Sequence, residues 1–466
     1  MIRSIKNFFK EIVFISRNNY NRDLKIEELT SIVNNNRNNI EELTNIVNNN
    51  RSSIDLILYN DESEINKLKK FKENVDLNLK FNSCVLNKSV KEPIKVIFLY
   101  QIPSFWPSWD SVYELMKNDN RFEIKLVFLS SNNRDTSQMK NAKKFLEDYN
   151  LEYVEYSEEF IDKFKPDVMF IQTPYDFWHR DDNNNTSYFL KKGIRLVYIP
   201  YGLEISCIEE SLYLQYKTEF FSNMWKIYTL NENTKNEYIK YSNLYRDSIV
   251  SVGSPKFDSI FYKKKLTNYN FKEKYKDKKI VVIKAHFRRQ LKDENGVNHL
   301  ATPDERIYLN FLKDSSKYKN CLFIFLTHPK FFDYMSQQNI LEFKKLFKKE
   351  NIFHFEDEDY REALYDADIF ITDRSAVMIE MGTFDKPILY LHNDKFSEPF
   401  SYAFEELINS YYEATDLKGI HMFLKDMLEG KDLNNKNRIE SFKRLTSVDG
   451  KVCERIVEDI YKSLNK

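Results

Sequence analysis

The sequence predicts an α/β protein built from two open parallel-sheet halves behind a helical N-terminal extension, and three observations predict it. From Ile94 onward, near-continuous apolar runs of four to seven residues alternate with helical stretches. That alternation restarts after a charged, turn-poor segment at Lys263 to Lys279. Ahead of both series lies a repeat with a period of 14 residues. Strands buried on both faces read as unbroken apolar runs, and strand–helix alternation brings such strands into parallel sheets.

The chain has 466 residues, room for two ordinary domains and an extension. Its 42% hydrophobic content allows a large core. Eight glycines are few, and neither the P-loop pattern nor the dinucleotide fingerprint occurs. Lys and Arg (71) balance Asp and Glu (71), so the basic excess of a nucleic-acid binder is absent and no nucleic-acid partner is expected. The four cysteines, Cys84, Cys207, Cys321 and Cys453, are far apart and have no metal-ligand spacing, as expected of thiols in a reducing cytosol. No apolar run is long enough to span a bilayer, and the start lacks a secretory leader's apolar region, so a cytoplasmic location is expected.

Residues 1–20 read as an amphipathic helix. Ile2, Ile5, Phe9 and Ile12 share a face, and Arg3, Lys6, Lys10 and Arg17 add positive charge. Residues 1–17 can therefore lie in a membrane interface against anionic lipid, or pack on the protein itself. Residues 21–90 form the rest of the extension. Within 26–57, the stretch from Ile26 to Arg37 recurs almost unchanged from Ile40. Ile26, Val33, Ile40, Val47 and Ile54 then occupy heptad position a, with Leu29, Asn36, Leu43, Asn50 and Ile57 at d. Such a seam predicts a coiled coil about 48 Å long and a homo-oligomer through residues 26–57.

The first sheet half spans 91–262, with strands expected from Ile94, Ile124, Val168, Ile194, Ile227 and Ile249. Residues 263–279 read as a linker. The second half spans 280–466, with strands from Ile280, Leu322, Ile352, Ile369 and Ile388 and a helical tail from Leu417. Ligands of open parallel sheets bind beyond the carboxyl ends of the strands, so the residues just after each strand are the candidates.

The second half is the richer in chemistry there. His328 follows a strand and is held by Pro329; it can donate to a phosphate oxygen or assist a leaving phosphate as an acid, or serve as a structural histidine near a helix start. Thr372, Asp373, Arg374 and Ser375 follow the next strand. Ser375 suits a helix N-cap, and the helix start offers N–H groups to a diphosphate. Arg374 adds charge to that site or points to solvent. Glu380, further along the helix, is within reach of a ribose hydroxyl. His286 and Arg288 end a third strand and can close the phosphate site from the other side. Lys256 and Asp258 lie in the turn before the linker. In the first half Tyr201 and Glu204, Tyr175 and Asp176, and Gln101 follow three strands, which suits a hydroxyl-rich acceptor. Glu204, Asp176 and His179 are candidate bases.

The order Gly253-Ser-Pro-Lys-Phe-Asp258, Ala285-His-Phe-Arg288, Thr327-His-Pro329 and Thr372-Asp-Arg-Ser-Ala-Val-Met378, followed by Lys386-Pro387, resembles the CDP-glycerol glycerophosphotransferase family from about Ile94 to the C-terminus. The resemblance implies a GT-B architecture with two Rossmann-like domains facing a cleft. It implies a CDP-linked polyol donor in the C-terminal half, a polysaccharide or lipid-linked acceptor, and a peripheral position on the inner face of the cell membrane. It further implies that His328, Arg288, Thr372 and Ser375 hold the diphosphate, that Glu380 approaches the ribose, and that CMP is released. Such a site requires neither metal nor cofactor, since protein cations and dipoles can carry the charge. The sequence departs from the family pattern at Pro200-Tyr201-Gly202, where a Trp-His-Gly segment usually supplies the base; Tyr201, Glu204 or another residue must then stand in. That departure keeps open a nucleotide-sugar glycosyltransferase of the same architecture, and a non-catalytic coiled-coil scaffold.

Overall fold

The computed structural model describes residues 72, 91–130, 141–242, 244, 246–261, 269–292, 297–396 and 398–465. The expected amphipathic helix and coiled coil lie outside them.

Seven strands form the first sheet: β1 (Ile94–Tyr100), β2 (Phe122–Phe128), β3 (Val154–Glu155), β4 (Val168–Ile171), β5 (Arg195–Tyr198), β6 (Lys226–Thr229) and β7 (Ile249–Ser251). Their order is β3-β2-β1-β4-β5-β6-β7, and every pairing is parallel. The second sheet contains β8 (Lys279–Ala285), β11 (Cys321–Thr327), β12 (Ile352–Phe355), β13 (Ile369–Thr372), β14 (Ile388–Leu391) and β15 (Tyr412–Ala414). Its order is β12-β11-β8-β13-β14-β15, again all parallel. A small antiparallel pair, β9 (Gln290–Lys292) and β10 (Asn298–Leu300), projects after β8.

Both sheets are sandwiched by helices. Alternate residues of one strand therefore feed different cores: Val96 and Phe98 pack on one face of the first sheet, and Ile97 and Leu99 on the other. Val281 and Ile283 face one core of the second sheet, and Ile280 and Val282 the other. This two-sided burial is why the strands read as unbroken apolar runs.

Two findings change the expected division of the chain. In the segment read as a linker, the helix Phe271–Lys274 belongs to the second half: Phe271 is buried in the core beneath Ile280 and Phe370, and Glu362 accepts hydrogen bonds from the Tyr269 and Asn270 amides at 2.8 and 2.6 Å. At the other end, the helix Val452–Leu464 returns to the first sheet, burying Val452, Ile456 and Ile460 against Ile94 and Val96. The Cys453 amide donates to Asp258 at 2.8 Å, which ties this last helix to the helix Pro255–Phe261 that follows β7, where the sequence suggested a turn. The tail of 280–466 therefore straps the two halves together.

Candidate active site

β8, β11 and β13 are neighbours in the second sheet, so their carboxyl ends share one rim. That register brings His286 beside His328 and beside Asp373 at the end of β13, although they are far apart in sequence.

The two imidazoles lie with ring centroids 4.7 Å apart. The Lys330 amide donates to His328 Nδ1 at 3.1 Å, which leaves the proton of the neutral ring on Nε2. His286 Nδ1 lies 3.2 Å from the Phe287 carbonyl and must donate to it, so its Nε2 is an acceptor. Burial holds both rings neutral. It pushes His328 down to about 2, helped by His286 and Lys284, and His286 down to about 3, helped by Lys284. His328 therefore presents an uncharged N–H donor.

Lys284, the residue before Ala285 on β8, is the functional candidate that sequence reasoning passed over. Its side chain is buried, and among the described residues it has no hydrogen-bond or ion-pair partner. Burial pushes its amine down to about 8, against the pull of Asp373 and Glu380. A lysine inside a strand that is otherwise Ile-Val-Val-Ile is a visible signal, because burying a cation is costly without a counter-charge.

Several predicted donor residues instead build the rim. Asp373 is fully buried; it accepts from the His286 amide at 2.8 and 2.9 Å and from the Tyr308 hydroxyl at 2.8 Å. Burial raises its carboxyl to about 6. It locks the end of β8 to β13. The Thr372 hydroxyl donates to the Asp373 carbonyl at 2.9 Å. Arg374 turns inward rather than to phosphate or solvent: it donates to the carbonyls of Glu398, Pro399 and Ile205 and pairs with the Glu398 carboxylate at 3.2 Å. Ser375 is not the N-cap. The helix runs Val377–Met381 with Ala376 as its cap, and Ser375 Oγ accepts weakly from the Val377 amide at 3.4 Å.

Glu380 and Lys256 were expected beside the donor, and they occupy each other. Their side chains pair at 2.8 Å, both almost fully buried, and the Tyr360 hydroxyl donates to Glu380 at 2.8 Å. Arg288 lies at the edge, 40% exposed, with Glu305 at 3.8 Å.

The first sheet presents its own rim directly opposite. A Cβ added to Gly202 would lie 3.9 Å from that of Ala376, so the loop after β5 touches the loop after β13. Tyr201 stacks on Phe105 with centroids 3.6 Å apart, and its hydroxyl meets that of Tyr175 at 2.9 Å. Glu204 is buried, with Tyr238 donating to it at 2.6 Å, and burial raises its carboxyl to about 7. Asp176 pairs with Arg180 at 2.6 Å and accepts from the Thr186 amide at the start of the helix Thr186–Lys191. Ser206 and Arg289 add polar bridges: Glu398 accepts from Ser206 and pairs with Arg289 at 3.3 Å, and Arg289 donates to Ser211 at 3.1 Å. Arg361 joins Asp110 of the first half at 2.7 Å.

Among the described residues, no three His, Cys, Asp or Glu side chains gather as a metal site, and no helix is long and apolar enough to cross a membrane.

Two parallel-sheet domains meeting rim to rim, with a returning C-terminal helix, define a GT-B enzyme architecture. Residues 113–462 match the family described as CDP-glycerol:poly(glycerophosphate) glycerophosphotransferase, and the chain belongs to that family. Membership makes it a transferase of polyol phosphate from a CDP-linked donor. Among solved structures, the wall teichoic acid polymerase TagF is similar, with a TM-score of 0.54 and 14% identity over 86% of this chain and 96% of that one. The UDP-GlcNAc 2-epimerase from Neisseria meningitidis bound to UDP-GlcNAc matches with a TM-score of 0.54 and 14% identity, covering 79% of this chain and 100% of that one. MnaA from S. aureus with UDP gives 0.54 and 14%, covering 80% and 97%. At these identities the likeness establishes the fold. No curated protein matches the chain.

Proposed function

We propose that the chain moves a glycerol-phosphate-like group from a CDP-activated donor onto a hydroxyl of a surface polysaccharide or lipid-linked acceptor, releasing CMP. One observation carries this reading: Lys284, His286 and His328 share the rim of the second sheet on which the loop after β13 meets the Tyr201–Gly202 loop of the first sheet.

Phosphoryl transfer asks a protein mainly to position the reactants and to stabilise charge. Lys284 supplies a cation in a low-dielectric rim, where it is worth more than in water. His328 Nε2–H donates to a diphosphate oxygen. Because its imidazolium is not populated near neutral pH, the ring acts as a neutral donor and not as an acid. The acceptor oxygen attacks the phosphorus that bears the polyol, and a new P–O bond forms. The bond to the oxygen bridging the two phosphorus atoms breaks, and CMP leaves with that electron pair. The acceptor's proton passes to Glu204, whose raised pKa near 7 suits a base. Tyr201 orients the acceptor hydroxyl. Glu380 reaches the ribose only by exchanging Lys256 or Tyr360 for it. Residues 1–17 are proposed to hold the enzyme at the inner face of the membrane, and residues 26–57 to assemble it.

Thermal-shift titration with CDP, UDP and GDP tests the donor. Stabilisation by CDP alone supports the reading, whereas stabilisation by UDP alone favours the nucleotide-sugar glycosyltransferase.

A further inference from the structure

The segment after β4 carries two large aromatic side chains at the surface: Phe177 is 44% exposed and Trp178 43%. They are the outer end of a continuous series. Tyr201 stands at the rim contact, and its hydroxyl meets that of Tyr175. The Tyr175 ring lies 4.9 Å from Trp178, and Trp178 lies 4.7 Å from Phe177. The rings thus run from the rim contact outward to the surface.

The charge beside them is selective. Between Thr173 and Ser187 the only permanent cation is Arg180. Its guanidinium is fully buried and committed to Asp176, Gln101 and the Thr173 carbonyl. Asp181 and Asp182 are exposed, and Asn183 is exposed with them. A polyanionic polyol-phosphate chain or an anionic lipid surface would meet exposed carboxylates here. A pyranose ring meets neither obstacle. Its C–H face is apolar and lies flat on an aromatic ring, and its rim of hydroxyls suits carboxylate and amide acceptors.

We infer that Tyr175, Trp178 and Phe177 form an acceptor subsite that stacks a neutral hexopyranose unit, so that the acceptor is a saccharide chain and not a polyol-phosphate polymer. The inference rests on the proposed acceptor role of the first sheet's rim. It extends that rim to residues outside the crevice and names the chemistry they take.

Tryptophan fluorescence tests it directly. Trp106, Trp109 and Trp225 are buried at 3, 0 and 7% exposure, so Trp178 dominates any solvent-sensitive change. Wild-type protein is titrated with cellotetraose, chitotetraose and maltotetraose, with an oligo(glycerol phosphate) of four units, and with phosphatidylglycerol vesicles. The expected result is a saturable blue shift with at least one tetrasaccharide and with neither anionic probe. By isothermal titration calorimetry, which needs no tryptophan reporter, Trp178→Ala, and separately Phe177→Ala, should weaken saccharide binding about tenfold or more while leaving CDP affinity at the wild-type value. Both side chains are exposed, so matching melting temperatures are expected for the variants. Wild-type protein that binds CDP but none of the three saccharides overturns the inference. So does saccharide binding unchanged in both variants, and so does a loss of vesicle binding in their place. Saccharide binding through Trp178 by a protein that fails to bind CDP upholds the subsite and counts against the donor reading instead.

Discussion

Lys256 and Glu380 stand 2.8 Å apart with both side chains buried, and they join the helix Pro255–Phe261, which follows β7, to the helix that follows β13. Removing one partner strands the other charge in the interior, which costs about 3–5 kcal/mol. Lys256→Met should therefore destabilise the protein by about that amount in chemical denaturation. Lys256→Met with Glu380→Gln, which leaves no orphan charge, should recover much of the loss. A single variant as stable as wild type would show that the pair contributes nothing to cohesion of the two halves.

Lys284 yields a prediction in two parts. Replacement by Met should leave the fold intact, because the methionine stem fills the same apolar channel, while CDP affinity falls roughly tenfold to a hundredfold with the loss of a desolvated cation. The wild-type amine titrates near 8, and a diphosphate beside it raises that value. CDP binding at pH 8.5 should then take up a proton, and calorimetry should give enthalpies that depend on the ionisation enthalpy of the buffer. At pH 6.5, where the amine is already protonated, that dependence on Lys284 vanishes. Equal proton uptake at pH 8.5 in Lys284→Met would remove the lysine from the diphosphate site.

His328 should act without ionising. Its Nδ1 accepts from Lys330, and burial holds it far below the working range, so the ring is neutral at every pH at which the protein is folded and active. His328→Ala should lower kcat by about a hundredfold or more with little change in melting temperature. The curve of kcat/KM against pH should rise through about 7 as Glu204 ionises, and Glu204→Gln should abolish that rise. A limb belonging to an imidazolium, lost in His328→Ala, would refute the neutral-donor role.

The strands were legible because two-sided burial writes itself as apolar runs, and Ile94–Tyr100 is a strand at the expected boundaries. β3 and β15 were missed because strands of two and three residues at the sheet edges carry too little pattern. At the candidate site, sequence placed these residues at strand ends but could not give the directions of their side chains. Asp373, Arg374 and Ser375 are consecutive, yet Asp373 turns to Tyr308 and Arg374 to Glu398. Partners such as Tyr308, Tyr360 and Glu398 lie elsewhere in the chain among many residues of the same type, and nothing local distinguishes them. Lys284 was different. Its position inside an apolar strand is the signal, but the rule that ligands bind beyond strand ends points past it.

Arg361 and Asp110 provide a test of how the halves are held. The guanidinium bridges Asp110 of the first half and Asp359 of its own, and all three groups are buried. Arg361→Met removes the cation that two buried carboxylates share and should cost about 3–5 kcal/mol. Asp110→Asn keeps a hydrogen-bond acceptor and leaves Asp359 paired, so it should cost less. The reverse ranking would mean that the local pair with Asp359, and not the bridge, sets the energy.

Glu204 also links stability to pH. Its carboxyl is raised from the ordinary 4.5 to about 7, chiefly by burial and against the donated Tyr238 hydrogen bond. Between these values the folded chain holds a proton that the unfolded chain has released. Stability from this group is therefore full below about pH 4.5, falls as pH rises, and is gone above about pH 7. A shift of this size bounds the effect at about 3 kcal/mol. Asp373 and Glu358, also raised by burial, act in the same direction, so the wild-type curve alone cannot isolate Glu204. The difference between wild type and Glu204→Gln can, because the amide carries no titrating proton while still accepting from Tyr238. Relative to wild type, the variant should gain stability steadily from pH 4.5 to 7 and then hold level. A difference that stays flat across that window would show that Glu204 titrates as an ordinary solvated carboxylate, and the base assigned to the reaction would go with it.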